Sequence, residues 1–64
     1  MPVINIKMGK ITDEKKKELI EKITETGVEV TQIPESSFTV FVEEYDYANI
    51  GVAGQVLAEK FANQ

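Results

Sequence analysis

Apolar and polar residues alternate near the start of the chain. Residues 3–8 read VINIKM, with Ile4, Ile6 and Met8 on one face and Asn5 and Lys7 on the other. Alternation with a period of two is typical of a strand that buries one face. The pattern therefore predicts a first strand over residues 3–8.

A long amphipathic helix is predicted next. Thr12 is a plausible N-cap, and the acidic pair Asp13-Glu14 lies in the first turn, where the helix dipole favours negative charge. Gly27 falls on the apolar stripe, which indicates a close approach of the helix to a sheet. The residue before a proline is pushed out of helical geometry, so we expect the helix to continue through TGVEVT and to break at Ile33-Pro34. The stripe consists of Leu19, Ile20, Ile23, Gly27 and Val30 or Thr31.

A second strand is predicted over residues 37–44, which read SFTVFVEE. Both of its faces carry apolar residues, which indicates burial on both sides. Two strands joined by a helix of this length are expected to be parallel, with a right-handed crossover. The predicted fold class is α+β, a βαβ subunit. Because a two-stranded sheet is not stable alone, we expect the sheet to be completed in an oligomer.

The tail contains a polar and aromatic loop, YDYAN, followed by IGVAGQ, whose two glycines suggest a turn or a tight hairpin. The last segment, QVLAEKFA, is interpreted as a short helix or a docking arm, with Val56, Leu57 and Phe61 available for burial. The whole chain, residues 1–64, is predicted to be a single domain.

Composition narrows the possible functions. The chain has 64 residues, no Cys and no His. This excludes disulfides, thiolate or imidazole metal sites, and catalysis by Cys or His. A core of this size is marginal, yet 42% of the residues are hydrophobic. We therefore expect self-association.

The charge balance argues against nucleic acid and membrane partners. Seven basic residues, all of them Lys, stand against 11 acidic ones, giving a net charge of -4 and a pI near 4.6. Such a protein repels phosphate backbones and anionic lipids. No apolar run approaches the length of a membrane span, and the amino terminus does not resemble a signal peptide, so a cytoplasmic location is predicted.

Few groups in this chain can transfer a proton near neutral pH. A carboxylate, a lysine or a tyrosine would need a large pKa shift, whereas the α-amino group, at about 7.7–8.0, starts closest. If Met1 is removed, that group becomes the secondary amine of Pro2, which needs an apolar setting to remain neutral. The alternative is that Pro2 only begins an edge strand, where its missing N–H costs nothing.

Other polar residues have simpler interpretations. The run Lys15–Lys17 is expected to be a solvated helix face, and Glu43-Glu44 a strand end that reaches solvent. Tyr45 and Tyr47 have the hydroxyls to stabilise an oxyanion, but loop aromatics of an oligomer more often pack at interfaces.

Three segments together, MPVINIK, TDEKKKELIEKITE and FVEEYDYANIGVAGQ, resemble the 4-oxalocrotonate tautomerase family of small subunits. The resemblance implies a βαβ subunit with a small carboxy-terminal hairpin. It also implies dimers with a four-stranded sheet, and a homohexamer built from three dimers. In such a protein the amino-terminal proline is a general base that moves a proton between the enol and keto forms of a small acid, without a cofactor.

The resemblance places Pro2 at the catalytic proline, but the two arginines of the family are missing. The arginine expected just before the helix falls at Ile11, where Lys10 is the only nearby cation. The arginine expected early in the second strand is replaced by Thr39. A lysine is a point charge without a planar fork, and a threonine offers at most a neutral hydrogen bond. We therefore expect Lys10 and Thr39 to bind substrate more weakly than arginines.

The apolar wall of the pocket is expected to come from Phe41 and from Ile50, which replaces the aromatic residue of the family. The resulting hypothesis is a cofactor-free tautomerase of small 2-hydroxy and 2-oxo acids, with Pro2 as base after removal of Met1. A monocarboxylate or neutral enol is favoured over a dicarboxylate. The alternative is a non-catalytic oligomer on the same scaffold, with a small apolar ligand at its subunit contacts.

Overall fold

The structure is a computed structural model and describes residues 1–62. Single 3₁₀ turns lie at Glu35–Ser37 and Tyr47–Asn49. The strands are β1 (Val3–Gly9), β2 (Thr39–Tyr45), β3 (Gly51–Val52) and β4 (Gln55–Val56), and the helices are α1 (Asp13–Thr31) and α2 (Leu57–Ala62).

The strands β1 and β2 pair in parallel, from Val3 opposite Thr39 to Gly9 opposite Tyr45, and α1 forms the connection between them. This confirms the predicted α+β class and the βαβ order. Strand β2 begins two residues later than predicted, because residues 35–37 form a 3₁₀ turn before the chain becomes extended.

Both predicted ends of the long helix are confirmed. The hydroxyl of Thr12 accepts a hydrogen bond from the Lys15 N–H at 3.2 Å, as an N-cap does. At the other end Gln32 adopts a left-handed conformation with φ of 63°, and its N–H bonds to the Val28 carbonyl at 2.7 Å. The β-branched segment before it is helical, and the chain leaves the helix just ahead of Pro34.

The predicted close approach at Gly27 is also confirmed. A Cβ placed on this glycine would lie 2.5 Å from Cε1 of Phe38, the residue just before β2. Only a residue without a side chain allows the helix backbone to lie against that ring. Gly27 therefore fixes the distance between α1 and the start of β2.

The two faces of the sheet differ in exposure. Ile4, Ile6 and Met8 of β1 and their neighbours in β2 are half-buried, whereas Phe41 on the opposite face is 53% exposed and Val3 51%. No side chain in residues 1–61 is fully buried. The predicted burial of β2 on both faces therefore does not occur within one chain.

The chain is also long and flat, with extents of 44 × 23 × 15 Å. Its radius of gyration is 15.1 Å, against about 11 Å for a compact domain of this length. A shape of this kind leaves much apolar surface in contact with water.

The carboxy-terminal segment forms the predicted tight hairpin. Strands β3 and β4 are antiparallel, and the two residues between them, Ala53 and Gly54, both have positive φ, 52° and 79°. This is the backbone geometry of the two-residue hairpin turn that matches strand twist. The Leu57 N–H bonds to the Ile50 carbonyl at 2.9 Å and joins α2 to the start of the hairpin. Among residues 1–62, no helix has both the length and the apolar character that crossing a bilayer requires.

Candidate active site

Pro2 and Thr39 meet at the amino-terminal end of the two parallel strands. The Pro2 carbonyl accepts a hydrogen bond from the Thr39 N–H at 3.1 Å. This bond fixes the residue that would carry the base against the start of β2. With Met1 attached the Pro2 nitrogen is a tertiary amide and has no basic lone pair, so any role as a base requires removal of Met1.

Phe41 lies on the open face of the sheet, two residues along β2 from Thr39 and opposite Asn5. Residues two apart on a strand point to the same side, so its ring extends the surface that begins at Thr39. The structure thus places Pro2, Thr39 and Phe41 at one end of the sheet.

Lys10 and Ile50 lie at the other end. The seven residues of β1 separate Pro2 from Lys10, which corresponds to about 25 Å at ~3.3 Å per residue. Ile50 lines a cavity of about 460 Å³ at the carboxyl ends of the strands, together with Met8, Tyr45 and Leu57. Tyr45 also lines the adjoining groove that contains Lys10. The five candidate residues therefore form two separate groups within one chain.

Lys10 already has a partner. Its Nζ lies 2.7 Å from Oδ1 of Asp46, and the two side chains are 68% and 60% exposed. The hydrogen bond to Asp46 raises the pKa of Lys10 above its ordinary value. Sequence reasoning missed Asp46, although the parallel register would have revealed it: Gly9 pairs with Tyr45, so the next residues on each strand are neighbours.

Lys16 and Glu44 form a second ion pair close by, and both are more sheltered than predicted. Their side chains are 27% and 21% exposed. Glu44 also accepts a hydrogen bond from the Ile11 N–H at 3.0 Å. The hydrogen bond from Lys16 and then that from Ile11 lower the pKa of the Glu44 carboxyl. Lys15, Lys17 and Glu43 are exposed as predicted, whereas Lys16 and Glu44 are only partly exposed, because their ion pair joins the first turn of α1 to the end of β2.

The two tyrosines of the tail have different surroundings. The Tyr45 hydroxyl donates to Oε2 of Glu43 at 2.6 Å, and this bond raises the pKa of Tyr45. The ring of Tyr47 lies over Gly9, where a Cβ would overlap its Cε1 atom. It also meets Phe61 edge-on, with ring centroids 4.9 Å apart and an interplanar angle of 62°. Tyr47 therefore holds α2 against the end of β1 within the chain.

In the part of the chain that the structure describes, no three acidic side chains gather closely enough to hold a metal ion.

Comparison with known proteins gives a consistent match along the sequence. The family model described as "Tautomerase enzyme" matches residues 2–60. The 2-hydroxymuconate tautomerase of Bacillus subtilis (strain 168) is 41% identical over 61 residues, covering 92% of this chain and 97% of that protein. A probable tautomerase of Bacillus cereus is 40% identical over 62 residues, covering 94% of this chain and all of that protein.

Solved structures match the fold equally well. The crystal structure of YwhB, a homologue of 4-oxalocrotonate tautomerase, is 39% identical and superposes with a TM-score of 0.84 over 91% of this chain and 97% of that one. A structure from the 4-oxalocrotonate tautomerase isozymes of Methylibium petroleiphilum has a TM-score of 0.92 at 25% identity, covering 98% of this chain and all of that one.

Proposed function

The chain belongs to the tautomerase enzyme family, and we propose that it is a cofactor-free isomerase of small 2-hydroxy and 2-oxo acids. Membership in this family supports an isomerase of the tautomerase type. The relative in Bacillus subtilis bears the name of a 2-hydroxymuconate tautomerase, which supports an enol acid as the class of substrate.

The single observation that carries the proposal is the position of Pro2. It stands at the free end of β1, and its carbonyl is held by the Thr39 N–H. Once Met1 is removed, the neutral secondary amine accepts the proton of the 2-hydroxyl group of the enol. The protonated proline then returns a proton to a carbon of the conjugated chain. The enol becomes the ketone with no net change in protons, which is why no cofactor is required.

Self-association is part of this proposal. The open face of the sheet exposes Phe41 (53%) and Val3 (51%), two apolar side chains that a second subunit would cover. Lys10 and Ile50 are too far from Pro2 to act with it in the same chain, so we infer that they reach the proline of another subunit. A homohexamer of three dimers, as the sequence resemblance implies, would supply such a contact.

The proposed substrates carry little negative charge. Thr39 offers no charge at the position beside Pro2, and Lys10 is a point charge that Asp46 already neutralises. Loss of one strong oxyanion donor typically costs about 10²–10³ in rate. A monocarboxylate or a neutral enol, held against Phe41 and Ile50, therefore suits this site better than a dicarboxylate.

The test combines an intact mass with a rate. Protein produced in its native cell is weighed to establish whether Met1 is removed, and ketonisation of phenylenolpyruvate and 2-hydroxymuconate is then measured. Pro2→Ala is expected to lower kcat by about 10²–10⁴, the usual contribution of a general base. Pro34→Ala, which changes the proline at the far end of α1, is the matched control and should leave the rate unchanged.

Retained Met1, or equal rates for the wild type and Pro2→Ala, would overturn the catalytic proposal. The alternative is then a non-catalytic oligomer that binds a small apolar ligand at its subunit contacts. The pairing of Lys10 with Asp46 favours this alternative, because it makes the cation that a substrate acid would use less available.

A further inference from the structure

The ion pair between Lys10 and Asp46 has a feature that a purely structural contact would not need. Asp46 stands at the N-cap position of the Tyr47–Asn49 turn, where an aspartate usually caps the turn with its side chain. Here its carboxylate makes no capping hydrogen bond. The turn is held instead by the bond from the Asn49 N–H to the Asp46 carbonyl at 2.8 Å. The side chain of Asp46 thus does not cap the turn and instead forms an ion pair with Lys10.

Both partners are held in place by their neighbours in the chain. Gly9 and Tyr45 are the last pair of the β1–β2 ladder, and Lys10 and Asp46 follow them directly. The Ile11 N–H is bonded to Glu44 on the other side of Lys10. The backbone therefore places the two residues side by side, with their charged side chains within reach of each other.

The pair also lies beside the cavity that contains the candidate residue Ile50. Lys10 and Asp46 line a groove of about 170 Å³ with Tyr45 and Tyr47. Tyr45 forms part of the wall of the larger cavity at Ile50 as well. An acid whose apolar part occupies the cavity would direct its charged group toward the groove, where Asp46 already takes the place of a ligand carboxylate.

We propose that Asp46 is a specificity-determining residue that competes with a ligand carboxylate for Lys10 and shifts the preference of this end of the site toward uncharged groups. This inference rests on the proposed function, since it assigns the substrate class of the same site. The inference can be tested separately from the proposed reaction, because it concerns ligand binding at Lys10 and not proton transfer at Pro2.

The expected size of the effect follows from the exposure of the pair. Exposed ion pairs are weak, so Asp46 reduces the availability of Lys10 without abolishing it. When only a fraction of the Lys10 side chains is available to a ligand, the apparent affinity of the ligand is reduced by that fraction. Removal of the Asp46 charge is expected to strengthen carboxylate binding by about two- to fivefold relative to binding of a neutral ligand.

The experiment uses two probes of equal length, hexanoate and hexanamide, titrated into the full chain and followed by NMR amide shifts. Asp46→Asn keeps the shape of the side chain and should lower the ratio of the hexanoate Kd to the hexanamide Kd by about two- to fivefold. Glu25→Gln, an exposed carboxylate of α1 with no ion pair in residues 1–62, is the control for net charge and should leave the ratio unchanged. In a Lys10→Gln background, Asp46→Asn should have no effect.

Three results would overturn the inference. They are an unchanged ratio in Asp46→Asn, an equal change in Glu25→Gln, and an equal change when Lys10 is absent. A chain that binds neither probe would overturn it too, because Lys10 would then not belong to an acid-binding site. Binding does not require the amine of Pro2, so the result is independent of whether Pro2→Ala retains activity.

Discussion

The strands β1 and β2 are paired along their whole length, but the two ends of the pair differ in the further contacts that join them. At the amino-terminal end a main-chain hydrogen bond joins Pro2 to Thr39. At the carboxyl end the further contacts are made by side chains. Lys10 pairs with Asp46, Lys16 pairs with Glu44, and the Tyr47 ring lies over Gly9.

This difference distinguishes the end that carries the proposed base from the end whose contacts depend on charge and side-chain shape. A backbone bond does not depend on pH, so the position of the proposed base is insensitive to protonation of its surroundings. The carboxyl end depends on charge and on side-chain shape, which makes it the place where stability and ligand preference respond to pH and substitution. Three predictions test that division.

The largest expected effect comes from adding charge at the amino-terminal end. Thr39→Arg places a planar cation beside Pro2, where it can bind the carboxylate and the developing oxyanion through two parallel hydrogen bonds. We expect kcat/KM for phenylenolpyruvate to rise by up to about 10²-fold, which approaches the usual contribution of one such donor. Steady-state ketonisation rates measure the change.

The control for this substitution is Thr39→Met, which matches much of the length of arginine without its charge. Size-exclusion chromatography of both variants should show the same assembly as the wild type. If the arginine and methionine variants have equal rates, residue 39 does not face the reacting group.

The next effect is on stability at the carboxyl end. A Cβ on Gly9 would overlap the Tyr47 ring, and the ring would have to leave its edge contact with Phe61. Gly9→Ala is expected to lower the free energy of unfolding by about 1–3 kcal/mol, the usual cost of overpacking. Urea denaturation provides the measurement.

Gly51→Ala is the matched control, because the nearest atom to its added Cβ, the Gln55 carbonyl oxygen, lies at an ordinary 3.7 Å. It should have a much smaller effect. Tyr47→Ser combined with Gly9→Ala should recover part of the loss. Equal destabilisation by the two glycine substitutions would show that the Tyr47 ring does not set the constraint.

The smallest effect is electrostatic and depends on pH. The pKa of Glu44 is lowered in the folded chain, mainly by its hydrogen bond with Lys16. Its contribution to stability is therefore present above the ordinary value of 4.5 and is lost as pH falls through the lower folded pKa. The pKa of Lys16 is raised, so its contribution is present below 10.5 and is lost as pH rises through the higher folded value.

Glu44→Gln should consequently reduce stability at neutral pH and make no difference in strong acid, where the wild-type carboxyl is also uncharged. Urea midpoints recorded across the acid range test this, with Glu25→Gln as a control that should show no such pH dependence. A Glu44→Gln defect that persists unchanged at low pH would mean that shape, and not charge, accounts for it.

Much of the fold followed from local patterns. Period-two alternation located β1, the Thr12 cap and Pro34 located the ends of α1, and the glycine at position 27 indicated a close helix–sheet contact. The start of β2 was missed by two residues, because the pattern of alternation does not distinguish a 3₁₀ turn at residues 35–37 from the beginning of a strand. The role of Pro2 as a base stays a prediction, which rests on its position directly before β1 and on the sequence resemblance.

The surroundings of the candidate site were harder to predict. The local pattern predicts that Lys16 belongs to a solvated run of three lysines and that Glu44 is a strand end that reaches solvent. Their pairing joins the first turn of α1 to the last residues of β2, and the Ile11–Glu44 hydrogen bond spans 33 positions in the sequence. No local periodicity carries that information.

The elements, their order and the family could therefore be predicted from the sequence, because they depend on contacts between residues a few positions apart and on the identity of short segments. Which charges meet depends on the folded chain, since the parallel register brings Lys10 to Asp46, and the position of α1 beside the end of β2 brings Lys16 to Glu44. The predicted first strand already implied that Pro2 and Lys10 flank one strand, and β1 confirms it. The seven extended residues of β1 hold Pro2 and Lys10 about 25 Å apart at ~3.3 Å per residue, so the two do not meet within one chain.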